Sequence, residues 1–142
     1  MTWRWQSAAA AALAVLAVSA PVRGQSFGFP WWRDAQFQKD LSLTVEQSAR
    51  IDGVFRQAIP LLREKKAELD AMEEELSQMI AANEEETAVM KQVDKVEALR
   101  SSMNKNRTLM LLRMRQVLSP DQRTKLNQLH EEWEKTHRRN RK

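Results

Sequence analysis

Between Val45 and Ala82 the apolar side chains fall in a repeating order: Ile51, Val54, Phe55, Ala58, Leu62, Leu69, Met72, Leu76, Met79 and Ile80. Steps of three and four residues put them on one face of a helix. A second stripe, Val89, Val93, Val96, Leu99, Met103, Met110, Met114 and Val117, predicts another long helix that ends near Leu118. A third, Leu126, Leu129 and Trp133, predicts a last helix from Pro120 to about His137. A short helical stretch, Asp34 to Asp40, precedes them.

The helix starts are written in the polar positions. In Leu43-Thr44-Val45-Glu46-Gln47 the threonine hydroxyl accepts from the Gln47 backbone N–H, and the glutamine side chain reaches back to the Thr44 N–H. Leu43 is placed to act as the hydrophobic staple, so a helix starts at Val45. Leu118-Ser119-Pro120-Asp121-Gln122 repeats the signal, with Ser119 as N-cap and Pro120 at the first helical position. Thr44, Gln47, Ser119 and Gln122 are therefore read as structural caps. Ala82 to Glu86 is the turn between the long helices; Asn83 is expected to cap the second, and three glutamates suit the positive end of its dipole. Pro60 removes one backbone bond, but the stripe continues in phase across it, which predicts a kink and not an end.

These elements define an all-α chain: a long antiparallel helical hairpin with short flanking helices, kinked at Pro60. Each long helix should measure on the order of 50 Å at ~1.5 Å per residue. Two helices that bury one stripe each make a thin core, and this argues for pairing into a dimer. Arg100 and Arg107 lie on or beside the second stripe, where they need acidic partners such as Glu64 or Glu68, or a path to water.

Composition supports the helical reading. Of 142 residues, three are glycine, four proline and none tyrosine or cysteine, and 30% are charged. Without cysteine there is no disulfide framework and no thiolate metal site. The net charge of +4 is small and its signs are interleaved, as on solvated helix faces. No nucleic-acid footprint is expected from such a body. Only the basic tail at residues 138–142, directly after His137, breaks the interleaving; it can touch an anionic surface but reads more simply as a frayed, soluble end.

The N-terminus changes the picture of where the protein works. Arg4 precedes an apolar run from Ser7 to Ala20 that stops at Pro21. This is the n-region and h-region of a secretory signal peptide, assigned to residues 1–24, and the run is short for a membrane span. An uncleaved inner-membrane anchor is the alternative. With cleavage after Gly24 no transmembrane span remains. Residues 25–33, QSFGFPWWR, form an aromatic arm or linker with Phe27, Phe29, Trp31 and Trp32. Such an arm either docks on a partner or, as the simpler reading, caps the end of the bundle. The helical domain is placed at residues 34–137.

The paired motifs LTVEQ, Leu43–Gln47, and LSPDQ, Leu118–Gln122, resemble those of the Spy/CpxP family of periplasmic LTxxQ proteins, with zinc-resistance-associated proteins and periplasmic heavy-metal sensors among its relatives. The stretch QVDKVEALRSSMNKNRTLMLLRMRQVLSPDQRTKL resembles the sensor-like branch, and the likeness runs from about Trp31 to Trp133. Ser119 departs from the motif's threonine but keeps its capping chemistry. The resemblance implies a curved four-helix protomer that pairs into a cradle-shaped homodimer in the periplasm. It also implies a role in envelope stress: ATP-independent chaperoning of unfolded clients, or sensing and buffering of zinc, copper, nickel or cobalt.

An enzyme is not expected, since the chain lacks a nucleophile–base set, HExxH and a glycine-rich phosphate loop. Sensor-type relatives use histidines with a carboxylate and a methionine on facing helices. Here no histidine precedes His130, so that site is not carried over. What remains for metal is His130 and Glu134, one turn apart, with His137: a weak zinc or copper site at most, with no cofactor required. The methionines offer thioethers to Cu(I), although methionine at stripe spacing ordinarily fills a core. Methionine-rich apolar surface rimmed by Lys and Arg suits promiscuous binding of unfolded chains. Phe55, Leu62, Leu69, Met72, Met103 and Met110 are the candidate contacts, each equally placed to be core. The chain is thus expected to bind unfolded or envelope client proteins, with a metal-responsive regulator acting on a membrane sensor protein as the alternative.

Overall fold

The structure, a computed structural model, describes residues 29–140. The assigned signal peptide, Phe27 and the last two basic residues lie outside the described residues. After a single 3-10 turn at Trp31–Arg33 come four helices: α1 (Ala35–Asp40), α2 (Val45–Ala81), α3 (Glu86–Gln116) and α4 (Pro120–Arg139). No strand occurs among the described residues. The two long helices pack against each other as the hairpin. They are ~56 and ~47 Å long at ~1.5 Å per residue. α2 runs through Pro60 as one element.

Both expected capping boxes are present. Gln47 N donates to Thr44 Oγ1 at 3.0 Å while Thr44 N donates to Gln47 Oε1 at 3.1 Å. Gln122 N donates to Ser119 Oγ at 3.2 Å and Ser119 N to Gln122 Oε1 at 2.9 Å. Pro120 opens α4. Asp34 caps α1 by accepting from Phe37 N at 2.9 Å.

Asn83 does something other than expected. It adopts a left-handed φ of 52° and closes α2 rather than capping α3. Asn83 N donates to Ile80 O at 3.0 Å and Glu84 N to Met79 O at 3.1 Å, the Schellman pair of bonds that satisfies the last carbonyls. α3 starts instead behind Glu85, without a side-chain cap. Ser42, with φ 51°, ends α1 by the same device: its N–H donates to Lys39 O at 3.0 Å and that of Leu43 to Gln38 O at 2.9 Å. Ser42 carries no residue-type signal for this, since the usual glycine is missing there; Asn83 is a residue type that suits a left-handed C-terminus as well as the N-cap expected of it.

Two apolar clusters lie along the hairpin. The larger sits at the end where α1, α4 and the aromatic turn converge. It contains Trp31, Trp32, Phe37, Leu41, Ile51, Leu62, Met110, Met114, Leu118 and Leu126. The smaller, Leu69, Val96 and Leu99, lies further out, with Met72, Leu76 and Met103 against it. Ile80, assigned to the α2 stripe, is exposed. It stands one residue beyond half-buried Met79, about 100° round the helix at ~3.6 residues per turn. Arg100 reaches Glu73 and Glu97, not Glu64 or Glu68. Glu97 is three residues away on its own helix, and Glu73 sits on the stretch of α2 that α3 faces in this register. The last helix continues to Arg139, so the first basic tail residues are helical.

Candidate functional site

The glutamines of the two motifs meet. Gln47 Nε2 donates to Gln122 Oε1 at 2.8 Å, and Gln122 Nε2 donates to Gln47 Oε1 at 3.0 Å. Each amide also reaches the backbone just before the other motif. Gln47 Nε2 donates to Val117 O at 3.3 Å, and Gln122 Nε2 donates to Leu41 O at 3.1 Å and Ser42 O at 3.5 Å. The arrangement is close to two-fold symmetric. Each Oε1 accepts from its own N-cap backbone and from the opposite amide, so donors and acceptors are matched. The contact fixes the start of α2 against the start of α4, 75 residues apart in the chain. Leu118 is buried beneath it and Leu43 packs against the same cluster. The residues read as separate caps therefore form one clasp.

Beside the clasp the aromatic turn closes the base of the hairpin. Trp31 and Trp32 are buried in it and Phe29 packs on it, which is the capping arrangement and not a free arm. Phe29 stacks on Trp133 at 5.4 Å and meets Phe37 edge-on at 5.1 Å. Trp32 lies 4.9 Å from the ring of Phe55. Asp52 on α2 ties this turn down. It accepts from Trp32 Nε1 at 3.0 Å and from Arg33 Nε at 2.7 Å, and it pairs with Arg56 at 2.6 Å. The Trp32 indole and then the Arg33 guanidinium hold its carboxyl below the usual carboxylate range, against the opposing effect of burial. Asp52 was absent from the sequence reading, since an acid at this position looks like any solvated helix residue.

The three metal candidates do not converge. His130 packs among Trp31 and Phe37, at 6.4 and 6.0 Å between ring centres. Burial, and next the charge of Arg115, push its pKa down, while Glu134 pulls it up. Glu134 bonds Arg138 at 2.8 Å. His137 is exposed, stacks on Trp133 at 4.0 Å and has its Nδ1 2.8 Å from Trp133 O. No group of three or more His, Cys, Asp or Glu able to hold a metal ion occurs among the described residues.

The client-contact candidates divide. Leu62 and Met110 are buried in the base cluster and Leu69 in the outer one, so these three are core in this conformation. Their stripe faces the opposite helix. Phe55, Met72 and Met103 are half-buried at its edges. The apolar side chains that do reach solvent are others: Leu61, Ile80, Met90, Leu109 and Leu112, beside Val45 at the start of α2. Apart from Ile80, which the spacing places in the first stripe, they stand outside the two stripes. Gln92 was likewise missed. It is buried on α3 and donates to Met72 O and Glu75 Oε2, each at 3.1 Å, pinning the register of the outer hairpin.

A helical hairpin whose two motif glutamines interlock across the base is the setting of the LTxxQ sequence. The family model described as LTXXQ motif family protein matches residues 31–130, and the chain belongs to that family. Membership suggests a periplasmic stress or metal-resistance accessory protein. No curated protein and no solved structure matches the chain. Among the described residues no helix is long and apolar enough to cross a membrane.

Proposed function

We propose that this protein is a periplasmic envelope-stress or metal-resistance accessory that acts as an ATP-independent, chaperone-like binder of unfolded or partner proteins, without catalysis and without an obligatory metal. The observation that carries the reading is the surface of the hairpin. Leu112 is 50% exposed and Ile80 62%, and Leu61, Met90 and Leu109 are also open to water. These side chains are set among Lys, Arg and Glu along the two long helices. Leu109 and Leu112, three residues apart on one helix face beside Arg100 and Lys105, suit weak binding of many unfolded chains without a fixed register. A second copy of the chain is the natural partner for the remainder of the thin hairpin, and a membrane sensor protein is a further candidate.

The test is light scattering by an unfolding model client, with and without the purified protein, in chelator. Suppression near an equimolar ratio supports the proposal. Replacing Leu109 and Leu112 together with serine should weaken suppression severalfold while helicity is kept. Failure to suppress in chelator, with suppression or a conformational response appearing only on adding zinc or copper, would favour the metal-responsive regulator instead.

A further inference from the structure

A cavity of about 280 Å³ opens at the base, between the aromatic turn, α2, α3 and α4. Its lining is of two kinds. Trp31, Trp32 and Phe55 supply aromatic rings and Met114 a thioether. Arg115, Asn127, His130 and Glu134 supply polar and charged groups. An enclosed apolar cavity of ~150 Å³ accommodates benzene, so this one has room for one or two fused rings. It is at the lower limit of ligand pockets, which start near ~300 Å³, and this favours a small, compact guest.

Charge selects the guest further. Glu134 is engaged by Arg138 at 2.8 Å. Arg115, half-buried at the cavity wall, donates to Asn127 Oδ1 at 2.6 Å and makes no ion pair among the described residues. A guanidinium with a neutral amide for its partner keeps most of its donors for an anion, and its planar fork suits a carboxylate or sulfonate. Beside it His130 is held toward its neutral form by burial and by Arg115 itself, so it offers a ring N–H without bringing a second charge. Methionine sulfur against an aromatic ring adds a favourable contact for the planar part.

We propose that this cavity is a binding site for a small planar aromatic monoanion, with its rings against Trp31, Trp32, Phe55 and Met114 and its anionic group on the Arg115 guanidinium. The site is separate from the exposed side chains of the hairpin that carry client binding, and its existence does not depend on that function.

Calorimetry of the full chain with 2-naphthoate and, in parallel, with neutral 2-naphthamide tests it, together with the methyl resonances of Met110 and Met114. Saturable one-to-one binding of naphthoate, at least about tenfold tighter than the amide, is expected from a charge-assisted contact. It should shift both methionine methyls. Arg115→Gln should erase that preference while leaving amide binding and helicity unchanged. Leu111→Trp, which puts a bulky ring among the lining residues, should abolish binding of both. Absence of saturable binding would overturn the proposal. So would equal affinity for acid and amide, or binding of naphthoate that Arg115→Gln leaves intact.

Discussion

Leu126 in the base and Val96 midway along the hairpin are both withdrawn from water, but their surroundings are unlike. Leu126 belongs to a cluster drawn from the aromatic turn and all four helices, in which Ile51 and Met114 are also fully buried. Val96 shares its apolar cluster with only two other buried side chains, Leu69 and Leu99, with half-buried Met72, Leu76 and Met103 around them. The same two helices run through both regions. What differs is the third layer: α1, the turn and α4 cover the base, whereas the outer hairpin around Val96, the arm of the molecule, is two helices and water. A layer more of packing turns a stripe into a closed core, and regions with few buried contacts open at lower free energy.

The sharpest way to break this contrast is to carve both cores. Leu126→Ala should cost about 2–5 kcal/mol of global stability, as buried leucine truncations do. Leu99→Ala should act mainly on local opening of the arm. Chemical denaturation with hydrogen exchange read residue by residue distinguishes the two. Global loss from both would show that arm and base unfold as one unit.

Next in size is the clasp. Gln47→Ala and Gln122→Ala should each cost about 1–3 kcal/mol, because each leaves the opposite amide short of a partner. Since each removes the same pair of bonds, the double variant should lose less than the sum, with a coupling of about 0.5–3 kcal/mol in a denaturation cycle. Thr44→Ala, which removes a cap and leaves the amide pair standing, should cost only ~1 kcal/mol. Additive losses at the two glutamines would mean that the motifs act as independent caps.

Acid should separate the regions more gently. His130 and Asp52, both at the base, have lowered pKa values in the folded chain. Where the folded pKa lies below the unfolded one, the unfolded chain takes up more protons, and stability falls as pH falls. The His130 contribution is whole above about pH 6.5 and declines below it, and that of Asp52 declines below about pH 4. Arg115 and Glu134 are the charged groups acting on His130, and the aromatic faces of Trp31 and Phe37 lie against it. Thermal melts from pH 7 to pH 5 should show a falling transition that His130→Leu flattens. An unchanged slope in that variant would place the sensitivity elsewhere.

The smallest effects should be gains. Gly53 lies inside α2, and a Cβ built there meets nothing within 4 Å. Gly53→Ala should add about 0.5–1 kcal/mol. Ser42→Gly, at a left-handed φ of 51°, should add a comparable amount. Both are read by denaturant titration, and a loss at either would contradict the backbone conformation described.

Much of this was legible along the chain, because helix periodicity and capping boxes are local. The steps of the α2 stripe run through Pro60, and Thr44 with Gln47 and Ser119 with Gln122 mark two starts within a residue. Local rules failed where one position serves two purposes. Asn83 fits an N-cap and a left-handed C-terminus equally well by residue type, and only the bonds of Ile80 O and Met79 O decide between them. Leu62, Leu69 and Met110 carry the same apolar label whether they face another helix or water.

The sequence by itself determined an all-helical hairpin, the capped starts of α2 and α4 and the LTxxQ signature, since each depends on neighbours a few residues apart. Only the tertiary structure decided that Gln47 and Gln122 bond each other, that Asp52 holds Trp32 and Arg33, that His130 packs against Trp31 and Phe37, and which leucines stay wet. Those outcomes depend on contacts between residues from 19 to 99 positions apart in the chain. The register of α2 on α3 and the closure by α4 set such contacts, and no periodicity along a single helix contains that information.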